Sequence, residues 1–484
     1  MGISTFVGRK SELASLNDLL AKKTSSLVVI KGRRRIGKSR LVEEFSEKFK
    51  FYRFSGLAPV AGITAQDQRN EFALQLSQQT GLPELSSIDD WTKLFNLLAD
   101  KCKIGRIIIL LDEISWMAHD DPTFLSKLKN VWDTQFKKNP KLILILCGSV
   151  STWIEKNIMS STGYFGRVSL DLTLGELSLE ECNELLELLG FRRSALEKLI
   201  LLAITGGIPW YIEQVNPRHS ALENIQALCF QKNALLSKEY THIFHDLFGK
   251  RSPIYQKITT ALATEDLDYD VLATKLNYAK SSALSEYLND LILSGYITQY
   301  NSWSFKTTHV LPKIMKYRLS DNFIRFYFRY MKNKMNMIEA GNYTTVSPAT
   351  LPGWSSMLGL QFENVVLKNR ELLHKALAIN PADIIASGTY FQRKTNKQKG
   401  CQIDYLIQTK YKTLLVCEIK FSQNPIGVNV ISSVKDKIAK LSLPRGFAVV
   451  PVLIHAGEVT DAVYDADYFI NIIDVNQYLD MENA

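Results

Sequence analysis

Apolar residues follow two rhythms along the first third of the chain. In Ser26–Lys31, Ile107–Leu111 and Leu142–Cys147 they run almost unbroken. Strands apolar on both faces belong in a parallel sheet covered by helices. Ser39–Lys48 reads as a helix and Phe51–Gly56 as another strand, so residues 1–175 alternate strand and helix. Residues 176–245 read as helical, with apolar positions recurring three and four apart. Gly206-Gly207-Ile208-Pro209 supplies a break in that run.

The pattern changes over residues 251–311. Leu272, Leu276, Leu284, Leu288, Leu291 and Ile292 predict two short helices joined near Asn277–Lys280. Gly295-Tyr-Ile-Thr and Trp303-Ser-Phe then predict a two-stranded ribbon. Helix, turn, helix and ribbon is the order of a winged helix; a small helical subdomain with no nucleic-acid role would give the same pattern. Pro348, Pro352 and Gly353 mark a linker. Beyond it, a helix over Leu360–Leu373 and strands over Ile403–Ile407, Thr413–Lys420 and Gly446–Ile454 predict a second α/β unit.

A length of 484 residues suggests about two to four domains. With 46% hydrophobic and 22% charged residues, the composition is that of a globular chain with full cores. The apolar runs are too short to span a bilayer, and the first residues lack the apolar core of a signal peptide; a cytoplasmic protein with no membrane partner is the expectation. Cys102, Cys147, Cys182, Cys229, Cys401 and Cys417 form no C-x-x-C pair, which favours buried reduced thiols over zinc or disulfides. The formal charge of +9 favours anionic partners. Lys313, Lys316, Arg318, Arg325, Arg329, Lys332 and Lys334 crowd one stretch, and Arg393, Lys394, Lys397 and Lys399 another. Each run is either a nucleic-acid patch or a solvated face.

Candidate chemistry sharpens this picture at Gly32-Arg33-Arg34-Arg35-Ile36-Gly37-Lys38-Ser39, followed by Arg40. G-x-x-x-x-G-K-[ST] between a strand and a helix is a P-loop. Gly32 and Gly37 let backbone N–H groups turn onto phosphates. Lys38 supplies charge to the β- and γ-phosphates, and Ser39 a hydroxyl to Mg²⁺. The strand Ile107–Leu111 ends in Asp112, which can hold a Mg²⁺-bound water, and Glu113 is placed to polarise the attacking water. Ser149, after the strand Leu142–Cys147, is either a γ-phosphate sensor or an ordinary turn residue. Arg167, in Gly163-Tyr-Phe-Gly-Arg, is either an arginine finger acting across a subunit interface of a homo-oligomer or a surface residue.

Taken in order, Phe6-Val-Gly8-Arg9-x-x-Glu12, the P-loop, Asp112-Glu113, Gly148-Ser149, Gly166-Arg167 and Gly206-Gly207-Ile-Pro209 resemble the archaeal-type ATPases on the AAA+/STAND side of the P-loop NTPases. The resemblance implies that Gly8 and Arg9 lie near the adenine end and that Pro209 belongs to the lid. The arginine-rich loop also suits that family.

The C-terminal unit holds a second constellation, Asp404 and then Glu418-Ile-Lys420. Two apart on a strand, Glu418 and Lys420 share a face. Two carboxylates and a lysine can bind Mg²⁺ or Mn²⁺ and orient a water against a phosphodiester, and Glu363 could add a further acid. The bare pattern also occurs as surface charge. With its helix, flanking strands and basic neighbours, it resembles the PD-(D/E)XK restriction-endonuclease-like fold. That fold recurs beside archaeal-type ATPases as a family of unassigned function, and Tyr317-Arg-Leu-Ser-Asp321 with its aromatic continuation is similar to the connector preceding it there. The chain departs from that pattern in lacking a literal Pro-Asp and in carrying Gln402 where Glu is frequent.

The expected architecture is therefore α/β. It comprises a P-loop NTPase core with a parallel sheet (1–175), a helical lid (176–250), a winged helix (251–311), a connector (312–355) and a restriction-endonuclease-like α/β domain (356–484). The expected function is ATP binding and hydrolysis acting on DNA, with a metal-dependent nuclease-like domain. The alternative is a nucleotide-controlled switch whose C-terminal domain binds DNA or a partner without cutting.

Overall fold

A computed structural model describes residues 6–480 except 59, 61, 86, 87, 150, 249–251 and 397. Lys397 of the second basic run and the side chain of Lys313 in the first lie outside the described residues. The chain divides after Glu176 into two compact units, one residue from the break expected between core and lid.

In the first unit, strands β1 (Ser26–Gly32), β2 (Lys50–Ser55), β3 (Ile107–Asp112), β4 (Leu142–Gly148) and β5 (Val168–Leu174) form one sheet in the order β2-β3-β4-β1-β5. Every neighbouring pair is parallel. Helices α1 (Lys10–Asp18), α2 (Lys38–Ser46), α3 (Ala65–Thr80) and α4 (Trp91–Lys101) join that order, with a further helix at Phe124–Thr134. All residues of β1, β3 and β4 are buried, as their unbroken apolar runs require. One face carries Leu27, Val29, Ile109 and Leu144 into a core with Phe72, Trp91, Phe95 and Trp132. There Phe54 stacks on Phe72 at 4.3 Å between ring centres, and Trp91 meets Phe124 edge-on at 4.8 Å. Each such ring removed from water stabilises the unit by about 1.5–3 kcal/mol. Local signals agree with this packing: Thr64 and Asp67 form a capping box that starts α3, and Gly81 in the left-handed region ends it.

The second unit begins with the expected helices, Leu179–Leu188, Ala195–Thr205 and Ala221–Cys229. Lys198 is buried on the second of these; its ammonium donates to Asn183 Oδ1 (2.6 Å), Glu187 Oε1 (2.6 Å) and the Leu479 carbonyl (2.8 Å). The helices read as an ATPase lid are thus tied to the last turn of the C-terminal domain. Its sheet is β13-β12-β11-β10-β9, built from β9 (Ile384–Gln392), β10 (Cys401–Thr409), β11 (Thr413–Phe421), β12 (Ala448–Ala456) and β13 (Asn471–Asp474). The first three strands are antiparallel and the last three parallel.

Between these parts stand helices Ser252–Leu262, Tyr269–Lys275 and Ser282–Leu293 and a three-stranded sheet β6-β8-β7, formed by β6 (Leu267–Asp268), β7 (Ile297–Trp303) and β8 (Val310–Leu319). The ribbon differs from expectation. The two segments assigned to separate strands lie in and just beyond the single strand β7, and its partner β8 extends through the start of the supposed connector. The cause is non-local. Ser302 Oγ donates to the Phe391 carbonyl and accepts from its N–H (3.0 Å), and Trp303 Nε1 donates to Gln408 Oε1 (2.7 Å). Trp303 and Phe305 then bury among Ile403, Leu406 and Val416, in the core of the C-terminal sheet.

No helix among the described residues is long and apolar enough to cross a membrane. All six cysteines are free, and five of them are buried.

Candidate functional site

The first site lies where β1, β3 and β4 end side by side. Gly32 closes β1 with φ 151°, and a Cβ there would stand 2.6 Å from the Leu174 carbonyl oxygen of β5, so only glycine fits. Arg35 (φ 67°) and Gly37 (φ 90°) both adopt the left-handed region. That curls the loop so that its N–H groups can cradle an anion at the start of α2. Ile36 is fully buried beneath it. Lys38 Nζ donates to the Gly32 and Arg33 carbonyls, each at 3.0 Å, and to Ser149 Oγ at 2.8 Å.

Parallel pairing of β3 with β4 brings Asp112 and Glu113 beside Gly148 and Ser149. Asp112 is buried; its Oδ2 accepts from Ser39 Oγ at 2.7 Å and its Oδ1 from the Glu113 N–H at 3.2 Å. Glu113 takes a left-handed φ of 52°, a cost of roughly 1–2 kcal/mol for a residue with a Cβ. Its carboxylate accepts the Ser149 hydroxyl at 2.7 Å and the Ser149 N–H at 3.2 Å. Lys38, Ser149 and Glu113 therefore form one hydrogen-bonded chain. Behind it, burial raises the Cys147 thiol well above its usual range, with the Asp112 charge adding to the effect.

Arg9 does more than flank the loop. Gly8 (φ 71°) and Arg9 (φ 56°) are successive left-handed residues. The buried Arg9 guanidinium donates to the Ile36 carbonyl (3.1 Å) and the Gly175 carbonyl (2.7 Å), stapling the P-loop main chain to the end of β5. Arg33 stands 3.8 Å from Glu176, Arg34 lies 5.9 Å from the centre of the Trp116 ring, and Arg40 is 3.8 Å from Glu43. Pro209 opens the short helix Pro209–Ile212 of the second unit.

Arg53 was not singled out from sequence, yet it enters this site. It lies on β2, paired in parallel with β3, and its Nη2 donates to Asp112 Oδ2 at 3.0 Å while Nη1 pairs with Glu43. In the sequence it reads as an exposed strand residue, and only the pairing of β2 with β3 brings it to Asp112.

Arg167 is not among the residues brought together here. It precedes β5, whose Val168 pairs with Leu27, whereas the P-loop follows the other end of β1. Seven strand residues, roughly 20 Å, separate the two ends. Its guanidinium is bidentate on Asp133, with Nε and Nη2 at 3.1 and 2.9 Å. Arg167 holds that carboxyl well below the usual carboxylate range, with Lys137 and Lys129 adding to the effect. Seated on Asp133, the guanidinium is not at the P-loop of its own chain in this arrangement.

The second site lies on β10 and β11. Glu418 is 1% exposed, and its Oε1 is 2.9 Å from Lys420 Nζ. Asp404 Oδ2 accepts the Ile419 N–H at 3.1 Å. Lys437, from the helix Asn429–Lys440, spans both acids, with Nζ 3.3 Å from Asp404 Oδ1 and 2.5 Å from Glu418 Oε2. Burial, then the Glu418 charge, push the Asp404 carboxyl up to about 6 against the pull of Lys437. Lys437 was missed in the sequence, although it falls on the stripe of Val430 and Val434, where a lysine is out of place. Glu363, whose charge adds to the rise at Asp404, has its Oε1 accepting Arg318 Nη1 at 2.6 Å. Among the described residues no group of three or more acidic, histidine or cysteine side chains could hold a metal. Two carboxylates still suit a cation that takes its other ligands from water and phosphate, as Mg²⁺ commonly does. At the P-loop, the Ser39 hydroxyl and Asp112 carboxylate are the oxygen donors such an ion needs.

Residues 6–215 match the family described as an ATPase domain predominantly from Archaea. Residues 327–436 match a family described as archaeal and bacterial proteins of unknown function. An uncharacterized protein of Methanocaldococcus jannaschii is 27% identical over 420 residues, covering 86% of this chain and 87% of its own. An uncharacterized ATP-binding protein of the same organism is 41% identical over 54 residues, 11% of this chain and 92% of its own. Among solved structures, a Walker-type ATPase of Pyrococcus abyssi is similar at 16% identity with a TM-score of 0.48, over 67% of this chain and 96% of that one. The ORC2 protein of Aeropyrum pernix, solved in ADPNP and ADP complexes, is similar at 16% identity with a TM-score of 0.40, over 69% and 94%. With its P-loop and parallel sheet, the chain is an ATP-binding P-loop ATPase whose residues 6–215 are similar to an ATPase domain found predominantly in Archaea.

Proposed function

We propose that hydrolysis in the first unit divides its work as follows. Lys38 binds the β- and γ-phosphates, and Ser39 and Asp112 hold Mg²⁺, which would neutralise charge on the phosphate oxygens. Glu113 accepts a proton from the attacking water. Ser149 orients Glu113 and senses the γ-phosphate through Lys38. The loop residues Gly32 to Arg40 enclose the phosphates, while Gly8 and Arg9 fix the loop and the adenine end. The observation that carries this reading is the hydrogen-bonded chain Lys38–Ser149–Glu113 beside the Ser39–Asp112 pair. Lys38→Ala should lower affinity for a fluorescent ATP analogue by at least about a hundredfold, since a buried phosphate charge loses its partner. Unchanged affinity would remove Lys38 from the site.

For the output, we propose that the ATPase controls a metal-dependent nuclease-like domain acting on DNA. Asp404 and Glu418 would hold the divalent cation, and Lys420 would stabilise the charge developing on a phosphodiester. The approach of Lys420 to Glu418, with Asp404 alongside, supports this reading. A switch that binds without cutting is favoured instead by Lys437, a cation already seated on both carboxylates. The order of elements over 252–319 supports a winged helix, but Ser282–Leu293 contains no lysine or arginine and exposes Glu286. DNA contact would then fall to other basic residues, such as Lys394 and Lys399. Arg167 could serve a neighbouring copy in a homo-oligomer.

Plasmid, linear and single-stranded DNA incubated with Mg²⁺ or Mn²⁺ should be cut by the wild type and about a hundredfold more slowly by Lys420→Ala. Intact DNA under every condition, or equal cutting by both proteins, would leave the non-cleaving switch.

A further inference from the structure

We propose that Arg53 competes with the nucleotide's divalent cation for one oxygen, Asp112 Oδ2, and so sets the magnesium requirement of the ATPase. The inference rests on Asp112 as the cation ligand and adds a residue that governs its availability. Oδ2 accepts two hydrogen bonds, from Ser39 Oγ at 2.7 Å and Arg53 Nη2 at 3.0 Å. Those bonds use both of its lone pairs. A cation cannot coordinate Oδ2 while Nη2 remains there, because the lone pair is taken and two positive charges at one oxygen repel strongly.

Arg53 has somewhere to go. Its side chain is 41% exposed whereas that of Asp112 is 7% exposed. Its other arm pairs with Glu43 on α2, which is itself half-buried and a neighbour of Arg40. Swinging off Asp112 therefore costs one ion pair and keeps the other. Until it swings, the guanidinium neutralises a buried carboxylate beside the phosphate cradle, lowering the repulsion that an incoming anion would meet. Arg53 is a positioning residue in this account, acting through Asp112 and not on the phosphate.

The test is binding of a fluorescent ADP analogue to the full chain, with Mg²⁺ raised stepwise from EDTA. Arg53→Gln should lower the half-saturating Mg²⁺ by about fivefold, the size suited to an ion pair with one half-exposed partner. The same variant should bind the analogue in EDTA about fivefold more weakly, because the Asp112 charge then faces the phosphates unneutralised. Glu43→Gln should raise the Mg²⁺ requirement, since Arg53 loses its second partner and settles on Asp112. Arg53→Lys keeps a cation and should fall between wild type and Arg53→Gln; melting curves identify any variant that misfolds. Wild-type binding that ignores Mg²⁺ would overturn the metal reading of Asp112 together with this one. Wild-type binding that needs Mg²⁺, with Arg53→Gln unchanged in both respects, would overturn the role of Arg53 alone.

Discussion

Glu113→Gln should lower ATP hydrolysis by about 10²–10⁴-fold, the usual contribution of a general base, while nucleotide affinity changes by less than about threefold. The two effects separate because Glu113 touches neither the loop main chain nor Lys38. Its carboxylate meets Ser149, accepting the hydroxyl at one oxygen and the N–H at the other. Gln is isosteric and keeps one of those acceptors, so the left-handed turn at φ 52° and the end of β3 should persist. What is lost is basicity. Phosphate release measured beside equilibrium binding of the fluorescent analogue reads both quantities on one preparation. Normal turnover by the variant would move the base to another residue, and loss of binding would make Glu113 a structural prop for the cradle.

That prediction draws on the part of the molecule most open to reading from sequence. The strands β1, β3 and β4 are buried on both faces, so their apolar runs announce them, and the residues just beyond each run are the ones the site needs. Arg53 was hidden for the opposite reason. Within Lys50–Ser55 the burial alternates, and Arg53 falls at an exposed position, as a surface strand residue would. Its reach to Asp112 follows from β2 lying next to β3 with Ser55 opposite Asp112. Neighbour order in a parallel sheet is set by crossover helices tens of residues long, and no local pattern encodes it. Trp303 is a ribbon residue as read, but it ends β7 and does not begin a second strand. A short run, Trp303-Ser-Phe, looks like a ribbon strand until the sheet of a later segment covers it. At the second site the spacing of Glu418 and Lys420 was legible because a strand fixes it, whereas Lys437 arrives from a helix nineteen residues downstream of Glu418.

The basic stretch from Lys313 to Lys334 concealed a further feature, and the second large prediction tests it. Arg318→Met should destabilise the second unit by about 3–5 kcal/mol, because it strands a partner charge in the interior. Arg318 and Arg325, read as members of a patch or a solvated face, are each 4% exposed. Arg318 pairs with Glu363 at 2.6 Å and approaches Asp266 at 3.9 Å. Burial acts to lower the pKa of Arg318, yet the Glu363 and Asp266 carboxylates outweigh it and hold the guanidinium above its ordinary range. Arg325, with burial and the Arg318 charge both opposing its own, is pulled down to about 10. Removing Arg318 leaves the part-buried Glu363 and Asp266 carboxylates without that guanidinium. The double variant Arg318→Met with Glu363→Leu removes the closer ion pair while Asp266 keeps the Tyr300 hydroxyl, and it should recover most of the loss, since a well-packed apolar pair replaces an ion pair at little cost. Urea unfolding followed by hydrogen exchange resolves the second unit from the first, and nucleotide affinity serves as the internal control because the P-loop lies in the other unit. The same pair of variants decides what Glu363 is for. If Glu363 is the anchor of Arg318, divalent-cation binding at Asp404 and Glu418 should survive in the double variant. If instead Arg318→Met alone costs less than about 1 kcal/mol, below the range for a broken buried pair, the interior ion pair is not what holds β8 to the helix Trp354–Lys368, and Glu363 returns to the metal site as a candidate ligand.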